Sequence, residues 1–443
     1  MASTRVYRTL AANSEKKGAI SLWFKIGSGL GTDRVLICSY YDADYHSAIK
    51  INTDDCLNVF DWRSGMVSNY TTTKKLRDVS AWYHVVFEWD TTQVSAGDRN
   101  KLYINGVQET VFTSSTDYSS DYIPSWNRDY TLSIGARNSD QYWNGEMSHL
   151  YFIQGYAYAA STFGSTDATS GIWKINTGAS VNYTGTGTNS SFLKMEDRTN
   201  LDLDSGSNAN TFTTGGTGTA TYDNPSNNFC TMNPLRPNSI SQTYSNGNNT
   251  FIRTGTGGQM NGTLGITKGK WYYECLIDDY WQYIGWTVPS LNTSQTAACS
   301  DSGSGFYGVY ANATNMSSYA NGVNSALTGY TVMAAAQYIS IAFDADNGEL
   351  YYGTNGVWGN SSNPVTRTNP FLTSVPVTDF VVPAIGQGTG SRSSTIKMNF
   401  GNGYFGTTSS GTTEADDAGI GQFKYDVPAG FYTLCTKNIK AYG

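Results

Sequence analysis

Acidic residues two positions apart on a β-strand share one face and could act as the paired carboxylates of a glycosidase. Glu88 and Asp90 have this spacing, but a polar segment follows, so Asp90 is predicted to open a turn. Glu414 and Asp416 also have it, and Gly419 stands where the third acid of a Glu-x-Asp-x-x-Glu pattern would fall. Neither pair completes the pattern, and we expect the chain not to be an enzyme.

Nucleophilic catalysis would depend on one of three histidines, of which His84 and His149 lie in alternating segments. A histidine on a strand is usually structural, and no Gly-x-Ser-x-Gly elbow accompanies either one. Two glycine-rich segments lack the Lys-Ser/Thr of a phosphate-binding loop and are predicted to be plain loops. They are Gly255-Thr-Gly-Gly258 and Gly215-Gly-Thr-Gly218.

The six cysteines are scattered, and none forms the closely spaced ligand pattern of a zinc site. Cys38, Cys275 and Cys435 sit inside apolar alternations. We therefore predict that they are small buried hydrophobic residues and not disulfide partners.

Composition indicates an all-β protein. Only 14% of the 443 residues are charged, fewer than helix surfaces require, whereas 47 Gly and 32 Tyr suit turns and sheets. The net charge of −7, without a basic run, argues against nucleic-acid binding. No apolar run is long enough for a membrane helix, and Met1–Arg8 lacks the apolar core of a secretory signal. We expect synthesis in a cytosol and release by lysis.

The first half of the chain alternates apolar and polar residues in short segments separated by Asp, Gly and Asn. Such segments are typical of strands with one buried face, and Asn105-Gly106 predicts a tight hairpin. A strand near 190–196 is predicted to return to the same sandwich. The predicted strands are Ala19–Ile26, Arg34–Ser39, Ser47–Ile51, Leu57–Trp62, Trp82–Trp89, Lys101–Val107, Tyr130–Gly135 and Gly145–Ile153.

The series AISLWFKI, WYHVVFEWD, KLYINGV and LSIGARNSDQYWNGEMSHLYFI resembles a laminin-G-like domain of the concanavalin A-like lectin superfamily, over residues 15–155. The segments GYAYAASTFGSTDATSGIWKINTG, SSFLKMED and DNPSNNFCTMNPL are similar to those of structural proteins of tailed bacteriophages, particularly marine ones. These resemblances imply a two-sheet sandwich in a virion protein.

The second half resembles a SPRY domain over residues 240–405. The motifs are GKWYYECLI, YIGWTV, ISIAFDADNGELYYGTNGVW, VVPAIG and IKMNFG, and Asn355-Gly356 predicts another tight hairpin. The segment Phe423–Cys435 is predicted to add an edge strand. The sequence thus predicts two antiparallel β-sandwich (jelly-roll) domains in tandem, 1–223 and 224–443, with linker-like Gly/Thr/Asn tracts at 176–189 and 205–221.

Candidate binding residues follow from sugar chemistry, because saccharides stack their C–H faces on aromatic rings. Tyr280 and Trp281 lie in a loop that SPRY domains use for recognition, and Tyr142 and Trp143 offer a comparable pair in the first domain. Many rings in so aromatic a chain must instead be core.

The sequence also offers candidate ligands for a Ca²⁺ site of the kind found in laminin-G domains. Asp42, Asp44, Asn138 and Asp140 lie in loops beside the matched strands and carry hard oxygen ligands. They are equally ordinary turn residues, and no other cofactor is predicted.

We expect a non-enzymatic virion protein of a tailed phage, either a capsid decoration or a tail or fibre component. Its partners would be other virion proteins or host surface polysaccharide, with the chain in many copies or a homo-oligomer. The alternatives are a cellular carbohydrate-binding adhesin and, less favoured, a polysaccharide depolymerase.

Overall fold

The computed structural model describes residues 4–185, 188–236, 241–254, 258–294, 297–377, 379–388 and 393–443. Most of the predicted loop Gly255–Gly258 lies outside these residues. The fold is all-β, as predicted, and no helix of the described chain is long and apolar enough to cross a membrane. Backbone contacts divide the chain into a first unit, up to Ala220 with 224–226, and a second, 221–223 with 227–443. Independent folding of two domains remains a prediction.

Sixteen strands among the described residues belong to the first unit. Their bounds are β1 (Arg5–Thr9), β2 (Lys17–Ile26), β3 (Arg34–Asp42), β4 (Tyr45–Ile51), β5 (Cys56–Arg63), β6 (Met66–Lys75), β7 (Trp82–Asp90), β8 (Asn100–Ile104), β9 (Val107–Gln108), β10 (Phe112–Thr116), β11 (Thr131–Ile134), β12 (Gly145–Gln154), β13 (Gly164–Thr166), β14 (Trp173–Ile175), β15 (Ser191–Leu193) and β16 (Thr213–Gly215). Short 3₁₀ turns span Ala96–Asp98, Ser125–Asn127 and Ala160–Thr162.

Two antiparallel sheets form the first sandwich. One has the order β10-β6-β5-β4-β3-β11-β1-β16 and the other β15-β12-β2-β7-β8-β9. Alternate residues of β2 point into the core between the sheets, which also holds Trp89 and Trp126. The hairpin β8–β9 turns at Asn105 and Gly106, both with positive φ, and β15 pairs with β12, so both predictions are confirmed.

The outer face of β2 is also buried, which corrects the prediction of a single buried face. Ser21 and Lys25, expected on an exposed side, are 0% and 2% exposed. An extra layer from residues 155–185, including the β13–β14 hairpin, covers this sheet through Phe163 and Trp173. The central sheet is therefore enclosed on both sides, and its outward polar groups need partners from this layer.

Sixteen further strands belong to the second unit. Their bounds are β17 (Ser241–Ser245), β18 (Thr250–Thr254), β19 (Gln259–Asn261), β20 (Lys270–Ile277), β21 (Gln282–Thr287), β22 (Phe306–Ala311), β23 (Met316–Ala320), β24 (Val323–Leu327), β25 (Gln337–Asp344), β26 (Glu349–Thr354), β27 (Val357–Trp358), β28 (Val382–Gln387), β29 (Ser393–Asn399), β30 (Tyr404–Phe405), β31 (Thr408–Ser409) and β32 (Tyr432–Thr433). 3₁₀ turns span Pro289–Leu291 and Gly359–Ser361, and one helix, α1, spans Thr436–Tyr442.

The second sandwich has sheet orders β17-β18-β29-β20-β25-β26-β27 and β19-β28-β21-β22-β23-β24. Its core contains Trp271 and Trp286 from the predicted strands, and Asn355-Gly356 forms the predicted turn. The cysteines predicted to be buried hydrophobic residues are confirmed as such, and all six thiols of the chain are buried and free of disulfides.

The carboxyl-terminal segment differs from its prediction as an edge strand. Only Tyr432 and Thr433 are extended, and they pair in parallel with Trp271 and Tyr272 of the central strand β20. They fill the space beside β20 where β29 stops pairing, since β29 contacts β20 only from Glu274 onward. The α-helix that follows was not predicted.

Glu274 anchors this terminal segment to the outer face of the larger sheet. The side chain is completely buried on β20, and its Oε1 accepts hydrogen bonds from the Tyr272 hydroxyl (2.8 Å) and the Tyr425 backbone N–H (2.9 Å). Its Oε2 accepts from the Lys424 N–H at 2.8 Å. Burial nevertheless raises the pKa of this carboxyl to about 7.

Glu274→Gln tests the pH dependence created by this burial. The folded carboxyl has a pKa of about 7 against an ordinary 4.5, so the folded state holds the proton more tightly than the unfolded state. The contribution of this protonated carboxyl to the free energy of unfolding is complete below pH 4.5 and is lost as the pH rises through 7. Over this range the wild-type free energy of unfolding should fall by on the order of 3 kcal/mol relative to the variant, as measured by urea denaturation.

Glu349→Gln is the matched control. The hydrogen bond from Arg367 lowers the pKa of Glu349. The stabilisation that the Glu349 carboxylate contributes is therefore present above its ordinary pKa and is lost as the pH falls. The two variants should thus deviate from wild type in opposite directions. Identical pH profiles for wild type and Glu274→Gln would contradict the assignment.

Candidate functional site

A polar cleft of about 530 Å³ opens on the first unit where β1 lies between β11 and β16. This volume falls within the usual range for small-ligand sites. We call it the arginine cleft, and it is lined by Arg5, Tyr7, Arg8, Thr9, Thr131, Asn138, Thr211 and Thr213. None of the described residues that line it is a carboxylate, although the chain carries a net charge of −7.

The alternation of β1 explains how these side chains meet. Arg5, Tyr7 and Thr9 project from one face of the strand, because successive side chains of a strand point to opposite sides. The register places Thr131 opposite Thr9 and Thr213 opposite Tyr7. Directly opposed residues of antiparallel strands lie close enough to contact, so three strands contribute to one surface.

Arg5 is held in place by two contacts. Its guanidinium lies 4.2 Å from the centre of the Tyr7 ring, a cation–π distance. Its Nη1 donates to the backbone oxygen of Asn138 and, at 2.8 Å, to the Asn138 Oδ1. These bonds use Nη1 alone, so Nη2 and Nε retain donors for a ligand.

Arg8 also borders the cleft, but its side chain projects from the face of β1 opposite to Arg5. Its guanidinium lies 5.6 Å from the centre of the Phe212 ring, and its Nη1 is buried without a hydrogen-bond partner. Burial lowers the pKa of Arg8, while Asp204 acts in the opposite direction. A guanidinium stays protonated in proteins, so Arg5 presents a fixed positive charge in the cleft, whereas the charge of Arg8 lies on the inner side of β1.

On the second unit, five rings form what we call the aromatic band: Tyr280, Trp281, Tyr283, Tyr310 and Tyr319. Tyr283 stacks on Tyr310 with centroids 4.4 Å apart and meets Tyr319 edge-on at 5.0 Å. Trp281 lies 6.4 Å from Tyr310 and 6.0 Å from Tyr280. Tyr283 is buried, whereas the other four are half-buried and leave part of each ring at the surface.

Gly388 allows this arrangement. A Cβ there would lie 2.6 Å from the Tyr310 ring, closer than side chains pack. Its backbone N–H also donates to the Trp281 oxygen at 3.0 Å, which ties the Trp281 loop to the end of β28. The predicted residues Tyr280 and Trp281 therefore belong to one fixed aromatic surface.

The two residues of the other predicted aromatic pair, Tyr142 and Trp143, differ in burial. Trp143 is 9% exposed and packs in the core edge-on to Phe24, with centroids 5.3 Å apart. Tyr142 is half-buried beside it. Trp143 therefore has no open face on which a sugar could stack.

The predicted calcium ligands are engaged elsewhere. Asp140 forms an ion pair with Arg137 at 2.6 Å, and both oxygens of Asn138 accept from Arg5. Asp42 Oδ1 accepts from the Asp44 N–H at 2.9 Å, as in an ordinary turn. Across the described residues, no three His, Cys, Asp or Glu side chains are grouped to hold a metal. As placed, this set does not fit Ca²⁺.

His84 does contact a serine, but in a geometry unsuited to catalysis. Its Nδ1 accepts from the Trp173 indole N–H (3.0 Å), which can only donate, so the ring proton resides on Nε2. Nε2 lies 2.9 Å from the Ser21 hydroxyl and donates to it. Burial lowers the pKa of His84 to about 3. The imidazole is therefore a structural link and not a general base.

The carboxylates Glu88 and Asp90 are also in structural contacts. Glu88 accepts from the Tyr103 hydroxyl at 3.3 Å, and its Oε1 lies 3.7 Å from the Lys101 Nζ. Asp90 accepts from the Thr92 hydroxyl at 2.5 Å, as predicted for a turn-opening residue. The two groups therefore serve a strand pair and a turn, respectively.

Most residues of the arginine cleft were not predicted from the sequence. Thr211 and Thr213 lie in the Ser205–Thr221 tract interpreted as a linker, yet Thr213–Gly215 forms the edge strand β16. Arg5, Tyr7 and Thr9 occupy alternate positions, as on one face of a strand. This alternation was the sequence signal that could have predicted β1 and its shared face. The pairing of β1 with β16 joins the two ends of the unit and has no local signature.

Several solved structures are similar to parts of this chain. The TRIM65 PSpry domain is 15% identical, covering 38% of this chain and 91% of that one, with a TM-score of 0.29. A native heptameric SAP-like pentraxin from Limulus polyphemus is 17% identical, with coverages of 35% and 71% and a TM-score of 0.27. The human HERC1 SPRY domain is also 17% identical, with coverages of 33% and 86% and a TM-score of 0.25. Similarities this weak support no inference about binding.

No curated protein matches the chain. Residues 4–160, about a third of the chain, match the Laminin_G_3 family model, described as the concanavalin A-like lectin/glucanases superfamily. The match spans both sheets of the first sandwich, including the motifs that suggested this resemblance. Residues 4–160 of the first unit are thus similar to the Laminin_G_3 family of the concanavalin A-like lectin/glucanases superfamily.

Proposed function

We propose that this chain is a non-enzymatic adhesion protein whose first unit binds an acidic saccharide in the arginine cleft. The observation that carries the proposal is the fixed cation of Arg5, which retains donors on Nη2 and Nε, in a cleft that no carboxylate of the described residues lines. A sugar carboxylate matches the fork of a guanidinium, and such charge-assisted hydrogen bonds are the stronger ones.

The remaining lining suits the uncharged part of a sugar. Thr9, Thr131 and Thr213 line the same cleft as Arg5, and each hydroxyl can donate to or accept from a sugar hydroxyl. The cleft is large enough for one or two sugar rings, which implies weak individual binding. Display of many copies on one surface converts such weak sites into useful avidity.

We propose further that this surface is the particle of a tailed phage, with the chain serving as a capsid decoration or as a tail or fibre component. The support is the resemblance of segments within residues 155–235 to phage structural proteins. The chain would then be made in the host cytoplasm, released by lysis, and contact host polysaccharide or neighbouring virion proteins.

Arg5→Ala should weaken binding of an oligogalacturonate by roughly tenfold to a hundredfold, since it removes a charge-assisted contact. Titration calorimetry at low salt measures the Kd. The methyl ester of the same oligosaccharide, which lacks the negative charge, should bind the wild-type chain no better than it binds the variant.

Arg137→Ala is the matched control for this experiment. It removes the same charge next to Asn138, but Arg137 is already paired with Asp140 and does not line the cleft. Its Kd should remain within about twofold of wild type, because exposed ion pairs contribute little. Equal weakening by Arg5→Ala and Arg137→Ala would show only a general charge effect and would contradict the site.

Wild-type chain incubated with an acidic polysaccharide that it binds should release no reducing ends. The contacts of His84, Glu88 and Asp90 leave none of them arranged as a catalytic pair. Release that Glu88→Gln abolishes would overturn this expectation and favour the depolymerase alternative.

Particles purified from the phage that encodes this chain should contain it in many copies, as counted by mass spectrometry. Intact infectious particles without the chain would refute the virion assignment. That result would leave saccharide binding in the arginine cleft unaffected, because the calorimetric test uses the isolated chain.

A further inference from the structure

A second cationic site lies inside the second unit, between its two sheets. Arg253 on β18 has no solvent exposure. In the sheet register it stands between Gln242 of β17 and Ser394 of β29. Its Nε donates to Gln387 Oε1 of the facing sheet at 3.0 Å, and Gln387 pairs in register with Gln282. At this end of the sandwich the core is therefore polar.

Several buried polar atoms in this cluster have no hydrogen-bond partner among the residues that the structure describes. They are both terminal nitrogens of Arg253, both amide atoms of Gln282, the Gln242 Nε2 and the Ser394 Oγ. Donors predominate among them, with two on the guanidinium and one on each amide. Unsatisfied donors concentrated at one buried place indicate a missing acceptor, since buried polar groups in proteins are nearly always paired.

No carboxylate in the described part of the chain compensates the charge of Arg253. Burial lowers its pKa to about 9, and the groups that act in the opposite direction are Cys299 and Tyr244, not a carboxylate. Arg236 adds a second guanidinium near the same two groups. Leaving a buried charge unpaired is strongly unfavourable.

Arg34 in the first unit shows how this chain compensates a cation of equal burial. It is 2% exposed, and its Nη2 lies 3.3 Å from the carboxylate of Asp55, which is itself 2% exposed. Among the described residues Arg253 has no such partner, and this difference leaves room for a counter-ion.

The geometry points to a bound small monovalent anion between the sheets of the second unit, held by Nη1 and Nη2 of Arg253 with the amide of Gln282. The site is enclosed, because Arg253 and Gln282 are fully buried and Ser394 is 1% exposed. Because the site is enclosed, the anion that we infer is as small as chloride, bromide or formate and is not a saccharide. This site is separate from the arginine cleft and does not depend on the proposed function.

Anion binding to the folded state alone predicts a specific change in thermal stability. The Tm of the second unit should rise by roughly 3 °C for each tenfold increase in chloride above its Kd, at constant ionic strength. The same Tm measurement with bromide and with formate distinguishes a halide site from a site for small carboxylates. A rise in Tm with either anion supports the proposal.

Arg253→Met should abolish this response, because it removes both terminal donors while keeping an unbranched side chain. Arg367→Met is the control in the same unit, since Arg367 is already paired with Glu349 at 2.7 Å and should leave the response intact. An equal anion response in wild type and Arg253→Met would overturn the proposal.

Bromide anomalous scattering from crystals of the wild-type chain keeps the test valid even if Arg253→Met does not fold. A peak within hydrogen-bond reach of Arg253 Nη1 and Nη2 is the expected result. Absence of such a peak in crystals grown in bromide, together with an unchanged wild-type Tm across the anion series, would refute the site.

Discussion

Both faces of the central strands are buried in each unit, and this constraint determines which polar contacts the structure needs. On β2, the buried hydroxyl of Ser21 obtains a hydrogen bond from His84. Trp173 of the covering layer orients His84 by donating to its Nδ1. On β20, the backbone N–H groups of Lys424 and Tyr425 satisfy Glu274 in the same way. The outer layers therefore complete the sheets chemically as well as sterically.

Asp61 illustrates the same requirement in the first unit. It has no solvent exposure, and its carboxylate accepts from the Ser125 N–H (2.9 Å), the Ser125 hydroxyl (2.6 Å) and the Tyr118 hydroxyl (3.1 Å). Burial raises its pKa, while these bonds act in the opposite direction. Arg253 differs because no described residue pairs with its two terminal nitrogens. The contrast is between a buried polar group that the chain itself satisfies and one for which we propose an anion.

Local periodicity predicted the strands that build both cores. Lys270–Ile277 has the predicted bounds, and the turns at Asn105-Gly106 and Asn355-Gly356 form where the dipeptides indicate. The covering layers and β16 were not predicted, because their residues are extended only through contacts made far along the chain. A Gly/Thr-rich composition cannot distinguish an edge strand from a linker.

The candidate site residues were also predicted only in part. The sequence identified Tyr280 and Trp281 by loop position, and both lie in a partly exposed aromatic band, but the same reasoning could not detect that Trp143 is core. Asn138 was selected as a metal ligand and instead orients Arg5. Side-chain chemistry is visible in the sequence, whereas burial and the identity of the contacting partner depend on tertiary packing.

The pairing of β1 with β16 has a consequence for biosynthesis. The cleft takes residues from the first and last strands of its unit, so a ribosome must extend the chain beyond Gly215 before that surface can assemble. A nascent chain that has already formed most of its first sandwich still lacks Thr211 and Thr213. The complete lining of the cleft is therefore available only after the amino-terminal half of the chain has been synthesised.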